Sequence, residues 1–113
     1  MLNLLPEHTE TELVNTMQIS EFQEMMRRLY LQRDLERGAK GNYDWLVDEV
    51  KELGEALDNN NKEAAQEEFA DVLAWLASVA NTIGIDLETA AVEKYNHKCP
   101  KCLRCPCRCS LEY

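Results

Sequence analysis

Apolar residues recur at helical spacing along most of this chain, and the points where the recurrence stops divide it into four predicted helices. Phe22, Met25, Met26 and Leu29 mark the buried stripe of the first, which Ser20 and Gln23 open as a capping box and which stops near Gly38. After a short loop over 38–41, a second helix opens near Asn42 and carries Trp45, Leu46, Val50, Leu53 and Leu57. It ends in a turn over 58–61. The third, over about 62–82, buries Ala65, Phe69, Val72, Leu73, Leu76 and Val79 before Gly84 terminates it. Asp86 caps a fourth with Leu87, Ala90, Ala91 and Tyr95 on one face, and an N-terminal arm holds a short helix around 10–17. The fold class is all-α: a four-helix bundle with a central antiparallel hairpin that bears carboxylates, followed by a short Cys-rich tail. Residues 1–98 form the helical domain, with core helices over about 20–96, and residues 99–113 form the tail.

The polar positions of that hairpin are ordered. Glu49 and Glu52 precede Asn60 by the same intervals at which Asp71 and Glu68 follow it, and the mirror extends to Ala56 with Ala64 and Trp45 with Trp75. In two antiparallel helices joined by a tight turn, such positions lie side by side. Glu52 then faces Glu68 and Glu49 faces Asp71, the two levels about 4.5 Å apart at ~1.5 Å rise per residue. Acids on amphipathic helices are commonly just solvated. These four share one shoulder of the apolar stripes, however, while Asp48, Lys51, Glu55, Glu63 and Glu67 point elsewhere, and carboxylates so dense repel one another unless a cation sits among them. An all-oxygen set without His or Cys favours Mg²⁺, with Mn²⁺ as an alternative, over Zn²⁺ or copper. A di-iron site would want a Glu-x-x-His pair, which neither His8 nor His97 is placed to provide.

Composition narrows the functions. In 113 residues there is room for one domain with a modest core, and four glycines and three prolines are too few for a many-stranded β protein. A net charge of −9 opposes docking on a nucleic-acid polymer, which depends on Lys and Arg neutralising phosphates. A small phosphorylated ligand stays open if a divalent metal brings the positive charge. No apolar run approaches a membrane span, and the first twelve residues, with Pro6, Glu7, Glu10 and Glu12, are unlike a signal peptide, so a cytoplasmic setting without membrane contact is expected.

Cations also sit on the inward stripes. The first helix's stripe, continued by steps of four and three, reaches Arg33 and Arg37, and the fourth helix's reaches Lys94. Aimed at an acidic metal cluster, they are what a polyphosphate needs on its far side. The structural alternatives are an Asp34–Arg37 pair at i,i+3 and a Lys94 that snorkels to solvent. Trp45 and Trp75 either stack a nucleobase or border the core.

The runs WLVDEVKELGEAL (45–57) and EEFADVLAWL (67–76) resemble the two signature helices of the MazG-like nucleotide pyrophosphohydrolases, whose pattern is E-E-x-x-E, a spacer, then E-x-x-D. RDLERG (33–38) and KYN (94–96) resemble segments that flank those helices, and the resemblance covers roughly residues 22–96. It implies that Glu49, Glu52, Glu68 and Asp71 ligate Mg²⁺, that Glu49 or Glu52 orients or deprotonates the attacking water, and that Arg33, Arg37, Lys94, Asn96 and Trp45 bind substrate. It further implies homodimers or homotetramers that build the cleft, and cleavage of a nucleoside triphosphate between its α and β phosphates to the monophosphate and pyrophosphate, as in house-cleaning of the nucleotide pool. Asp48 stands where the first Glu of E-E-x-x-E is usual, which puts a direct role for that acid in doubt. The rival reading is a non-catalytic helical metal-binding module that uses its tail for interaction.

That tail holds all five cysteines: Cys99, Cys102, Cys105, Cys107 and Cys109. Cys-x-x-Cys is a recurring Zn²⁺ half-site and a second thiolate pair completes a tetrahedral shell, although C-x-C-x-C is compressed for a second half. The spacing predicts a structural tail in which four of the five thiols hold one Zn²⁺. Free thiols packed against the body or a partner, disulfides and an iron–sulfur group are the alternatives.

Overall fold

One glycine and a run of asparagines decide where the long helices break and turn. The computed structural model describes residues 16–110, all of whose regular elements are helical: α1 (Ile19–Asp58), α2 (Lys62–Ile83) and α3 (Leu87–Lys94). The helix expected around 10–17 lies outside the described residues, apart from Thr16 and Met17, which are not helical.

The first two expected helices meet at Gly38, where the backbone leaves helical geometry and the chain kinks. Gly38 sits at φ 84°, ψ 162°, a conformation that costs a side-chain-bearing residue dearly, and the chain resumes the helix at once, with no loop over 38–41. Asn42 therefore does not open a helix. It is fully buried, and its Nδ2 donates to the Asp34 carbonyl oxygen (2.9 Å), one of the acceptors that an interrupted helix leaves without a backbone partner, and to Thr82 Oγ1 (2.9 Å).

The turn between α1 and α2 forms where expected. Asn60 takes the left-handed conformation (φ 53°), its N–H donates to Leu57 O, and the Asn61 N–H donates back to Ala56 O, the paired bonds of a Schellman ending. Asn61 also caps α2, its Oδ1 accepting from the Ala64 N–H at 3.1 Å. Two asparagines thus close one helix and start the next. Gly84 (φ 73°) ends α2 by the same device, with the Ile85 N–H donating to Ala80 O, and α3 leaves at 97° to α2.

Small side chains fill the α1–α2 contact. Ala56, Ala65, Ala77 and Ala80 are buried beside Met26, so the backbones approach closely. Several positions expected in the buried stripes are not covered: Met25, Leu29, Val50, Leu57, Phe69, Leu73, Leu76 and Tyr95 are each more than a third exposed. The apolar stripes are wider than one neighbouring helix can cover. No single helix among the described residues is long and apolar enough to cross a membrane.

Gln23 also differs from expectation. Gln18 caps α1, its N–H donating to Glu21 Oε1 (2.7 Å), while Gln23 is buried and pins three elements together. Its Nε2 donates to Asn81 Oδ1 (2.9 Å) and Ile85 O (2.7 Å), its Oε1 accepts from the Leu87 N–H (2.9 Å), and Asn81 Nδ2 returns a bond to Gln23 O (3.2 Å). The Ser20 N–H, free of any cap role, donates to Glu88 Oε1 on α3 (3.0 Å). Because Gln23→Ala strands several part-buried groups at once, it should lose about 1–3 kcal/mol in chemical denaturation, and α3 should gain protease sensitivity before the α1–α2 hairpin does.

Candidate functional site

The mirror register brings the acids together. Carboxylate oxygens of Glu49 on α1 and of Glu68 and Asp71 on α2 all lie within 4.8 Å of one another, a spacing that one cation can span. Glu52, more exposed, stands just outside that trio, near enough to Glu68 that repulsion between the two is the first cause holding its pKa above the usual carboxylate range; desolvation follows, then Glu55, Asp71 and Asp48. Glu49 is also pushed up, first by desolvation, then by the charge of Glu52 and by its contacts with Glu68 and Asp71. Glu68 Oε1 is buried without a hydrogen-bond partner among the described residues. A buried acceptor of this kind, surrounded by like charges, is what a hard cation satisfies.

Beside the trio lies a cavity of about 300 Å³ walled by Tyr30, Arg33, Asp34, Arg37, Asp71, Ala74, Trp75 and Ser78. Asp71 thus belongs to both the acidic trio and the cavity wall. A larger space of about 450 Å³ at the hairpin tip, bordered by Ala56, Leu57, Ala65 and Phe69, contains no carboxylate and lies away from this chemistry.

The cationic wall has two members with different commitments. Arg37 Nη1 donates to Asp34 Oδ1 (3.2 Å) and Asn42 Oδ1 (2.7 Å), and its guanidinium carbon stands 5.0 Å from the Trp75 ring centre. The Asp34–Arg37 pair weighed as a structural alternative is therefore present. Gly41 makes room for it: a Cβ there would come within 2.8 Å of Arg37 Cγ. Arg33 makes no ion pair among the described residues and borders the same cavity. Trp45 and Trp75, mirror mates in the sequence, stack with centroids 5.8 Å apart and planes at 14°, leaving Trp45 half exposed.

Lys94 and Asn96 are not brought to this site within the chain. Lys94 ends α3 with its Nζ 5.7 Å from the Tyr95 ring centre, Asn96 follows it exposed, and neither lines the cavity. Asp34 is the residue that the sequence reading undervalued. It is 1% exposed, with Oδ2 unpartnered among the described residues, on the cavity wall. Its signal was an acid directly beside Arg33 on the inward stripe, four residues ahead of a glycine break.

In the tail, Cys99, Cys102, Cys107 and Cys109 converge, their sulfurs within 4.8 Å of one another, whereas Cys105 stands exposed outside the group. Of the five expected thiols, four share a site.

A comparison with protein families matches residues 37–103 to the MazG nucleotide pyrophosphohydrolase domain, a stretch that contains the whole acidic hairpin, Arg37 and both tryptophans. A comparison with curated proteins found no match. The match extends over more than half of the sequence and includes both acidic helices in their order, so the chain belongs to the MazG nucleotide pyrophosphohydrolase domain family.

Proposed function

We propose that this chain is a divalent-metal-dependent nucleoside triphosphate pyrophosphohydrolase that converts a ribo- or deoxyribonucleoside triphosphate to its monophosphate and pyrophosphate, in house-cleaning of the nucleotide pool. The observation that carries this reading is the double membership of Asp71: the carboxylate trio and the Arg- and Trp-walled cavity meet at one side chain. A triphosphate in that cavity would have its charged end between the acids and Arg33, and its base toward the aromatic pair.

Glu49, Glu68 and Asp71 would hold the metal, with Glu52 at its edge, and the oxygen-only donor set together with the orphaned Glu68 Oε1 fits Mg²⁺ or Mn²⁺. Mg²⁺ bound there supplies neutralisation of phosphate charge and a lowered pKa for the attacking water. Glu52, whose proton affinity the charge of Glu68 raises, and Glu49, raised first by desolvation and then by the neighbouring acids, are suited to orient that water and take its proton. Arg33 and Arg37 oppose charge developing on the bridging and leaving phosphate oxygens, and Trp45 offers an exposed face for a base.

We further propose that the active unit is a homodimer or homotetramer. Leu29, Leu57, Phe69 and Ile83 each leave more than half of their surface to solvent in the single chain, a cost that a second copy would remove. A neighbouring subunit would also offer a route by which Lys94 and Asn96 reach a cavity they do not line. The proposed setting is the cytoplasm, whose reducing conditions suit five free cysteines.

A panel of nucleoside triphosphates with Mg²⁺ tests the activity. Pyrophosphate and monophosphate should form in equal amounts from at least one member, and orthophosphate as the product, or no turnover across the panel, would refute it. Glu68→Gln and Asp71→Asn should each lower kcat on the order of 10²-fold or more while leaving the helical signal intact. In chelator, Glu68→Gln should be as stable as the parent or more so, since it removes a repelled charge.

The two arginines should separate. Arg33→Ala should weaken nucleotide affinity or turnover by about 10-fold or more with unchanged thermal stability. Arg37→Ala should lower both, because it also strips Asp34 and Asn42 of their shared donor. Equal stability losses with unaltered kinetics would make both purely structural.

The oligomer reading has its own check. Sedimentation of the parent should give a dimer or tetramer mass, and Phe69→Glu should shift it toward the monomer; a monomeric parent with full activity rejects it.

A further inference from the structure

Among the described residues, the Cys-rich tail shows little apolar packing and no regular element to hold it folded. From Asn96 to Ser110 there is no helix or strand, no residue is fully buried, and Leu103, its largest apolar side chain, is 62% exposed. Among the described residues its backbone–backbone hydrogen bonds are the Leu103 N–H to Cys99 O (2.8 Å) and the Cys99 N–H to Arg104 O (3.0 Å). Ordering a segment of this length costs conformational entropy that so few contacts cannot offset. Small segments in this position are held by disulfides or a metal.

The sulfur geometry separates these two. Cys99 Sγ lies 3.7 Å from Cys109 Sγ, and Cys102 Sγ lies 3.9 Å from Cys107 Sγ. A disulfide needs about 2.05 Å. Four sulfurs on a tetrahedron with Zn–S bonds of about 2.3 Å are separated by about 3.8 Å, which the two pairs bracket. The fifth thiol, Cys105, lies outside the group, as four-coordination requires.

The backbone supports the same reading. The two hydrogen bonds above close a tight loop over Cys99, Pro100, Lys101, Cys102 and Leu103, with Leu103 in the left-handed region (φ 62°), so that the first pair of sulfurs points one way. The Arg108 N–H donates to Cys102 Sγ (3.2 Å) and the Cys109 N–H to Cys107 Sγ (3.3 Å). These backbone donors fix the orientation of two of the sulfurs. Lys98, Lys101, Arg104 and Arg108 alternate with the cysteines in a chain that is otherwise acidic, and their charge opposes the two negative charges of a zinc tetrathiolate.

We propose that Cys99, Cys102, Cys107 and Cys109 bind one Zn²⁺ in a tetrahedral all-sulfur site that folds the tail, with Cys105 left as a free thiol. Binding is a ligand exchange with no redox change: four S–H bonds are lost, four Zn–S bonds form, and four protons pass to solvent. The site is structural, since all four positions are taken by protein sulfur and none stays open for a substrate.

The test uses the full chain, purified with reductant and without chelator. Elemental analysis should give one zinc per chain, thiol titration of the native protein one fast-reacting thiol, and Co²⁺ exchanged into the apo protein the intense absorption of a tetrahedral sulfur site. Cys105→Ser should keep one zinc and the parent affinity in competition with a chromogenic chelator; Cys107→Ser should lose on the order of 100-fold or more. Trypsin should spare Lys98, Lys101, Arg104 and Arg108 until chelator is added, while circular dichroism shows the helices unchanged. Five freely reactive thiols without metal, stoichiometric iron in place of zinc, or a Cys105→Ser variant as impaired as Cys107→Ser would each overturn the assignment.

Discussion

The register between α1 and α2 is the constraint from which the rest follows. It is set over three residues, where Asn60 accepts the left-handed conformation and Asn61 both closes α1 through Ala56 O and caps α2. In a pair of straight helices joined this tightly, a turn longer by one residue would rotate every facing position of α2 by about 100°. Glu49 would then lose Glu68 and Asp71, and Trp45 would lose Trp75. The stack of the two rings at 5.8 Å shows that the mirror order holds fifteen residues away from Asn60, well beyond the acids it also aligns.

Holding carboxylates together is unfavourable in itself, and the fold supplies the means elsewhere. Asn42, Asp34, Arg37 and Thr82 form a polar network at the Gly38 break, and Gln23 and Asn81 form a second near the start of α1, the two meeting α2 at its adjacent residues Thr82 and Asn81. Such networks add stiffness because each buried donor has one acceptor within reach and misplacement leaves both unpaired. Elsewhere along α1 and α2 the buried side chains are mostly small: Ala56, Ala65, Ala77 and Ala80. The acidic cluster lies on the same helices nearer the hairpin turn. Its outer side faces the cavity, where Arg33 remains available and Arg37 is held by Asp34, Asn42 and Trp75.

The same economy leaves much apolar surface uncovered. The two segments of α1 on either side of Gly38, α2 and one short crossing helix leave part of each stripe open, and Leu29, Phe69 and Ile83 are the visible remainder. Part of what the periodicity marked for a core, Met26 and Ala65 among it, is buried within one chain, and part is not. The tail is the complementary case, a segment poor in apolar residues in which four sulfurs converge.

From the sequence alone, the all-helical class, the stops at Asp58 and Ile83, the facing of Glu49 with Asp71 and of Trp45 with Trp75, and the family were all legible. Helix periodicity, capping residues and equal intervals about a turn are local rules that hold wherever the chain is helical. Gly38 was legible as the interruption between the first two helices, but not how it is closed: the freed Asp34 carbonyl is received by Asn42, which is held in place by Thr82 forty positions away. Only tertiary structure could bury Asp34 against the cavity, turn Gln23 from a supposed cap into a joint between three helices, carry α3 off with Lys94 and Asn96 away from the acids, and select four sulfurs out of five. Each of those outcomes depends on where a remote segment packs, and no spacing along the chain encodes it.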